Sequence, residues 1–148
     1  MIYKSTEADI PAIADMAVLL WEENTKEELK AEYAKIIHSD ECAVFLSMNE
    51  NTAVGFAQVQ LRYDYVEGTN SSPVGYLEGI FVKSEYRKCG YGKELLEHCE
   101  KWAAEKGCTE FASDCELTNN MSLAFHLNMG FNEINRIICF TKKLKSKN

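Results

Sequence analysis

Between Tyr76 and Lys93 the chain runs from an apolar stretch rich in β-formers, through a basic loop spaced by glycines, into an amphipathic helix. The loop reads Arg87-Lys-Cys-Gly-Tyr-Gly-Lys93. A strand, a glycine loop and a helix N-terminus in succession favour an anion, because several backbone N–H groups lack partners there and the helix dipole adds positive potential. The chemistry this implies is the holding of a phosphorylated cofactor. Spacing excludes two of the phosphate loops that could do it. A Walker loop needs Ser or Thr after its Gly-Lys, and Gly92-Lys93 is followed by Glu94, with Arg87 where the first glycine belongs. A dinucleotide fingerprint needs a third glycine at the position of Leu95.

A second set of residues suits a cation. Alternate residues of a strand share a face, so Tyr76, Glu78, Ile80 and Val82 are expected to point one way, and Ala112, Asp114 and Glu116 likewise on a neighbouring strand. Glu78 and Asp114 are then carboxylates set in apolar strands and brought near each other. A lone strand carboxylate is more often a solvated or paired surface group; two flanking one cleft point towards a cationic substrate. The loop before adds Asp64, Tyr65 and Glu67, and the end of the first helix adds Trp21, Glu22 and Glu23. An aromatic at that position is more often core than site.

Positioning these groups requires a set of alternating elements. Residues 2–5 read as a short strand. Asp9 is placed to cap a helix with Pro11 in its first turn, with Ile10, Ile13, Ala17 and Leu20 at helical spacing. Thr25 and Glu28 form a capping box for a second helix carrying Leu29, Tyr33 and Ile36. Strands are expected at 42–48 and 53–66, then a polar loop from Glu67 to Pro73 and a strand at 76–82. A helix over 91–106 puts Leu95, Leu96, Cys99, Trp102 and Ala103 on one stripe, ended by Gly107. A strand at 108–115, a helix near 119–129 and a terminal hairpin at 131–143 complete the series. This mixed order implies an α/β fold with a central sheet covered by helices on both faces.

Composition narrows the class. The chain has 148 residues, 46% of them hydrophobic, enough for one domain with a sizeable core. Disorder is expected only in the basic tail, Lys142 to Asn148. No apolar run approaches the roughly 20 residues that span a bilayer, and Met1 to Asp9 lacks the regions of a signal peptide. A soluble, cytoplasmic protein with no membrane partner is expected. The net charge of −7 disfavours nucleic acid and suits a cationic small molecule. The six cysteines contain no C-x-x-C pair, so neither zinc nor a disulfide framework is expected; they read as small buried apolar residues. Cys89, inside the anion loop, is the exception and reads as oxidation-prone.

The phrase Arg87-x-x-Gly90-x-Gly92, followed downstream by Asn119-x-x-Ser122-x-x-x-His126-x-x-x-Gly130-Phe131, resembles the two signatures of the GCN5-related N-acetyltransferases (GNAT). The run from Arg62 to Val82, the segment Cys108 to Asp114 and Trp21 are similar to the type I aminoglycoside 6′-N-acetyltransferases, and the resemblance extends over most of the chain. It implies the acyl-coenzyme A N-acyltransferase fold in a single domain, residues 1–148, with a twisted mixed sheet. It implies acetyl-CoA as co-substrate, no metal, and direct attack of an amine on the thioester.

On this resemblance the backbone N–H groups of Lys88, Cys89, Gly90, Tyr91, Gly92 and Lys93 hold pyrophosphate, with Arg87 and Lys88 adding charge. Backbone groups of Ile80, Phe81 and Val82 meet the thioester and the pantetheine, and Asn119 and Ser122 contact the pantetheine arm. Trp21, Tyr65, Glu67, Tyr76, Glu78, Asp114 and Glu116 are expected to line the aminoglycoside site. Asp114 is the first choice to accept the amine proton, although an ordinary Asp pKa of about 3.9 makes it a weak base; orienting the amine while water takes the proton is the other role open to it. His126 stands where many relatives carry a Tyr that protonates the thiolate, and that role and a packing role are equally open to it. A homodimer is expected by analogy. Another amine acceptor, such as a polyamine or a protein N-terminus, and a non-catalytic acyl-CoA binding module are the competing readings.

Overall fold

The computed structural model describes residues 1–146. These fall into two compact units, Met1–Asp114 and a second from Cys115 onward. The first unit holds β1 (Ile2–Lys4), α1 (Ile10–Leu20), α2 (Lys26–Ile36), β2 (Cys42–Asn49), β3 (Thr52–Arg62), β4 (Val74–Val82), α3 (Tyr91–Glu105) and β5 (Phe111–Ser113). The second holds α4 (Asn120–Asn128). The five strands form one sheet in sequence order, antiparallel from β1 to β4, with β5 parallel to β4. Among the described residues no helix is long and apolar enough to cross a membrane.

Helices cover both faces of this sheet. On one face α1 and α2 pack Ile13, Met16, Leu29 and Tyr33 against Val44, Leu46 and Phe56. On the other lies α3, whose predicted stripe of Leu95, Leu96, Cys99, Trp102 and Ala103 is buried in full. The sheet's glycines allow the close approach: a Cβ on Gly75 would meet the Ala103 Cβ at 2.6 Å, and one on Gly55 would meet Leu95 at 3.3 Å.

The helix ends follow from local chemistry. Thr25 and Glu28 form the expected reciprocal box, with the Glu28 N–H donating to Thr25 Oγ1 at 3.1 Å. Asp9 does not cap α1. It sits in helical conformation after a short 3-10 turn, and its carboxylate accepts the Thr6 N–H at 2.9 Å, so the helical segment starts a turn earlier than expected. Gly107, at φ +94°, ends α3 in a Schellman motif: Cys108 N–H donates to the Ala103 carbonyl and Gly107 N–H to Ala104.

Three strand expectations need correction. β3 stops at Arg62 instead of 66, because its last partner on β4 is Val74 and the chain then leaves the sheet as a loop. β5 spans Phe111–Ser113 rather than 108–115, pairing with β4 only from Gly75 to Leu77. The hairpin at 131–143 is absent: residues 131–146 carry no regular structure. That segment has neither Gly nor Pro between 132 and 143 to set a tight turn, and an isolated two-stranded hairpin is marginal in water. The basic tail that was expected to be disordered lies partly outside the described residues. Burial of the cysteines holds fully only for Cys99; Cys89, Cys115 and Cys139 are exposed and all six are free thiols.

Candidate active site

The site is organised by an irregularity in β4. Gln58 of β3 stands opposite Gly79 while the next residue, Val59, stands opposite Leu77, so Glu78 is an extra residue bulged out of the ladder. The bulge breaks the simple alternation. Residues directly opposite on paired strands share a face, which puts Val74, Tyr76, Gly79 and Phe81 with Phe56, Gln58, Gln60 and Arg62. Leu77, Ile80 and Val82 share the opposite face with Val59, Ala57 and Gly55. The expectation that Tyr76, Glu78, Ile80 and Val82 point one way therefore fails beyond Glu78. Ile80 and Val82 belong to the α3 face, and Tyr76 and Glu78 to the α1–α2 face.

On that second face Glu78 and Asp114 are linked through Arg62, a residue with no role in the sequence-based expectations. Arg62 donates from one guanidinium nitrogen to both Glu78 oxygens, at 2.6 and 2.8 Å. Its guanidinium lies 3.4 Å from the centre of the Tyr76 ring, within cation–π range. The Tyr76 hydroxyl in turn donates to Asp114 Oδ2 in a short hydrogen bond. Burial, and then the Asp114 carboxylate that its hydroxyl bonds, push the Tyr76 phenol well above its ordinary pKa. Burial works against charge on Arg62, but the Glu78 carboxylate outweighs it and raises the guanidinium pKa further. Four side chains thus form one chain of contacts, Glu78–Arg62–Tyr76–Asp114, across β3, β4 and the end of β5.

Beside Glu78 opens a cavity of about 460 Å³, bordered by Trp21, Glu32, Tyr33, Gln58 and Gln60. Trp21 seats itself over Gly79: a Cβ there would meet the indole at 2.7 Å. Phe56 meets Trp21, Tyr33 and Phe81 with ring centres 6.3–6.4 Å apart, so the two aromatic residues that border the cavity, Trp21 and Tyr33, are packed on one buried ring. The signal for Gln58, Gln60 and Arg62 was present in the sequence: three polar residues at every second position of an otherwise apolar strand mark one wet face.

Other predicted residues are placed differently. Tyr65 is 80% exposed on the loop after β3 and Glu67 is exposed on the same loop; neither borders the cavity. Glu116 lies beyond β5, in the second unit, so the strand alternation that linked it to Asp114 does not apply. Among the described residues no group of His, Cys, Asp and Glu side chains is arranged to hold a metal.

The anion loop has the expected build. Lys88 and Gly90 take left-handed φ values of +61° and +91°, and Gly90 is the N-cap of α3. With no side chain at the cap, the first-turn N–H groups of Tyr91, Gly92 and Lys93 keep the orphan donors of a helix start. Arg87 turns back to the strand end, where its Nε donates to the Val82 carbonyl at 2.9 Å. It braces the loop, and the carbonyl expected to align pantetheine at Val82 is occupied by it.

In the second unit Asn119 caps α4, its side chain accepting the Ser122 N–H at 3.1 Å. Gly130, at φ +91°, and Phe131 close a second Schellman motif, with Phe131 N–H donating to the His126 carbonyl. His126 Nδ1 donates to the Ser122 carbonyl at 2.7 Å, and its ring lies 5.0 Å from that of Phe131. The Asn-to-Gly-Phe signature is thus, physically, the two ends of a helix, and His126 takes part in its C-terminal closure.

Comparison with known proteins identifies the family. The sequence model of the Acetyltransferase (GNAT) family matches residues 12–131, running through both units. The chain is 39% identical to the aminoglycoside N(6′)-acetyltransferase type 1 of Salmonella typhimurium, over 84% of this chain and 86% of that one. To the enzyme of the same name from Serratia marcescens it is 35% identical, over 97% and 99%. Among solved structures, AAC(6′)-Iy in complex with the bisubstrate analogue CoA-S-monomethyl-acetylneamine superposes with a TM-score of 0.92 at 34% identity, covering 97% of this chain and 98% of that one. The chain belongs to the GNAT acetyltransferase family, in its aminoglycoside N(6′)-acetyltransferase type 1 group.

Proposed function

We propose that the chain is an aminoglycoside 6′-N-acetyltransferase that moves acetyl from acetyl-CoA to the 6′-amine of a polycationic antibiotic, within one catalytic domain spanning residues 1–148. The observation that carries the site assignment is the contact chain Glu78–Arg62–Tyr76–Asp114, which links two carboxylates on one sheet face, with Glu78 on the cavity that Trp21 also borders. A carboxylate pair with aromatic faces suits an ammonium-bearing sugar.

In the reaction the amine nitrogen attacks the thioester carbonyl; a C–N bond forms, the C–S bond breaks, and coenzyme A leaves as thiolate. Asp114, fixed by the Tyr76 hydroxyl, either accepts the amine proton directly or orients the amine while water carries the proton off. Glu78 binds the same cation. The loop from Arg87 to Lys93 takes the pyrophosphate on its backbone N–H groups, and Ile80 and Phe81 offer main-chain groups to thioester and pantetheine. Beyond Leu77, β4 has no partner in β5, so the main-chain groups of residues 78–82 on that side are not committed to that strand. Asn119 and Ser122 are assigned to the pantetheine arm. For His126 two roles stand side by side, thiolate protonation and packing; its Nδ1 is held by the Ser122 carbonyl.

A cytoplasmic location follows from dependence on acetyl-CoA. Ile134, Ile137, Ile138 and Phe140, 60–87% exposed on the irregular C-terminal segment, support a homodimer that covers them; light scattering should give twice the chain mass.

The deciding experiment measures thiol release from acetyl-CoA with two aminoglycosides alike except for a 6′-amine or a 6′-hydroxyl. Turnover with the amine alone is expected. Equal turnover with both would move acetylation to another amine of the drug.

A further inference from the structure

The cavity beside Glu78 has a wall that the proposed chemistry does not use. Gln58 stands in it at 8% exposure, its Oε1 taken by the Tyr33 hydroxyl at 2.8 Å. Its amide nitrogen has no partner among the described residues, yet it is not sealed from solvent, so its donors are available to the cavity. A carboxamide oriented by a buried phenol is a fixed donor that matches a hydroxyl or ether oxygen. On the rim, Glu32 of α2 offers a carboxylate that forms no ion pair with any described residue, whereas its helix neighbour Glu27 pairs with Lys30 at 3.6 Å. Trp21 supplies an apolar face of the kind that covers sugar C–H groups.

We propose that this cavity is a second-cation subsite: Glu32 pairs with an acceptor ammonium other than the one acetylated, while Gln58 donates to an oxygen of the ring that carries it. Glu78 and Glu32 then read two charges of one molecule, which selects polyamines on a sugar frame over simple amines. The assignment rests on the acceptor being an aminoglycoside.

The test uses kanamycin A as probe, with both calorimetric binding and thiol release, on the wild type, Glu32→Gln and Glu27→Gln. Glu32→Gln should raise the Kd and KM for kanamycin A about fivefold, the effect of one partly exposed charge pair. The KM for acetyl-CoA should not move, and Glu27→Gln should match the wild type throughout. Equal binding of kanamycin A to Glu32→Gln and wild type would overturn the subsite, as would an equal loss in Glu27→Gln, which would mean a general charge effect. Weakened binding in Glu32→Gln alone, in a wild type that binds but releases no thiol, would uphold the subsite and overturn the proposed reaction instead.

Discussion

The two faces of the β3–β4 pair are built from the same strands and do opposite work. On the α3 face every second residue is small or apolar, from Gly55, Ala57, Val59 and Leu61 to Gly75, Leu77, Ile80 and Val82, and α3 closes over them. On the α1–α2 face the same stretch changes character along its length. Phe56 and Phe81 join the aromatic cluster at one end, and Gln58, Gln60, Arg62, Tyr76 and Glu78 make the other end polar. One face is specified by volume and the other by partners. Substitutions should therefore cost stability on the first and turnover on the second.

Leu95→Ala tests the packed face most severely. Leu95 is fully buried, and removing its side chain should cost about 2–5 kcal/mol, seen as a lower denaturation midpoint, with the KM for acceptor unchanged in the folded fraction. Glu78→Ala and Asp114→Ala test the polar face. Each should lower kcat/KM about a hundredfold, roughly 2.7 kcal/mol of transition-state stabilisation, while acetyl-CoA binding survives. Normal turnover in both would remove the site from this face.

Tyr76→Phe is a gentler change that deletes one hydroxyl. It should lower kcat about tenfold by releasing Asp114. Paired with Arg62→Met it should be less than additive, because both act through one chain of contacts; strict additivity would show that the two carboxylates are positioned independently.

The smallest effect is in pH. Burial pushes up the Tyr33 phenol, with Glu32 adding to it, and the Tyr76 phenol is raised as well. A raised folded pKa contributes stability that is fully present below the unfolded value of about 10 and is lost as pH climbs towards the folded one. Melting temperature should hold steady to about pH 9.5 and fall beyond about pH 10, with a shallower fall in Tyr76→Phe. Absorbance at alkaline pH should show two of the seven tyrosines ionising last.

Much of this was legible in the chain. The helical stripe of Leu95, Leu96, Cys99, Trp102 and Ala103, the Thr25–Glu28 box and the stop at Gly107 depend on neighbours within a turn or two, and each was placed correctly. Glu78 and Asp114 were singled out as charges in apolar strands; Glu78 lies in β4, while Asp114 falls just past the end of β5. The missing information was long-range. The bulge at Glu78 depends on how β4 registers with β3, which local alternation cannot show, so the faces of Ile80 and Val82 came out reversed. The role of Arg62 depends on its position relative to a strand that follows a loop of eleven residues, from 63 to 73. The length of β5 depends on what β4 offers it, and the segment 131–143, expected as a hairpin, has no Gly or Pro between 132 and 143 to set a tight turn.

The bulge at Glu78 also constrains how this protein can change. It acts as a half-period phase slip: one residue is skipped, so everything after it on β4 is rotated by one position relative to a regular strand. Losing or gaining a single codon anywhere between Tyr76 and Val82 would restore or double that slip, sending Phe81 towards α3 and a residue of the packed face towards the acceptor cavity. Point replacement leaves the phase intact. Drift in acceptor range should therefore proceed by exchanging side chains such as Gln58, Gln60 and Glu32 on fixed-length strands, with length variation confined to the loop at 63–73, where no register is at stake.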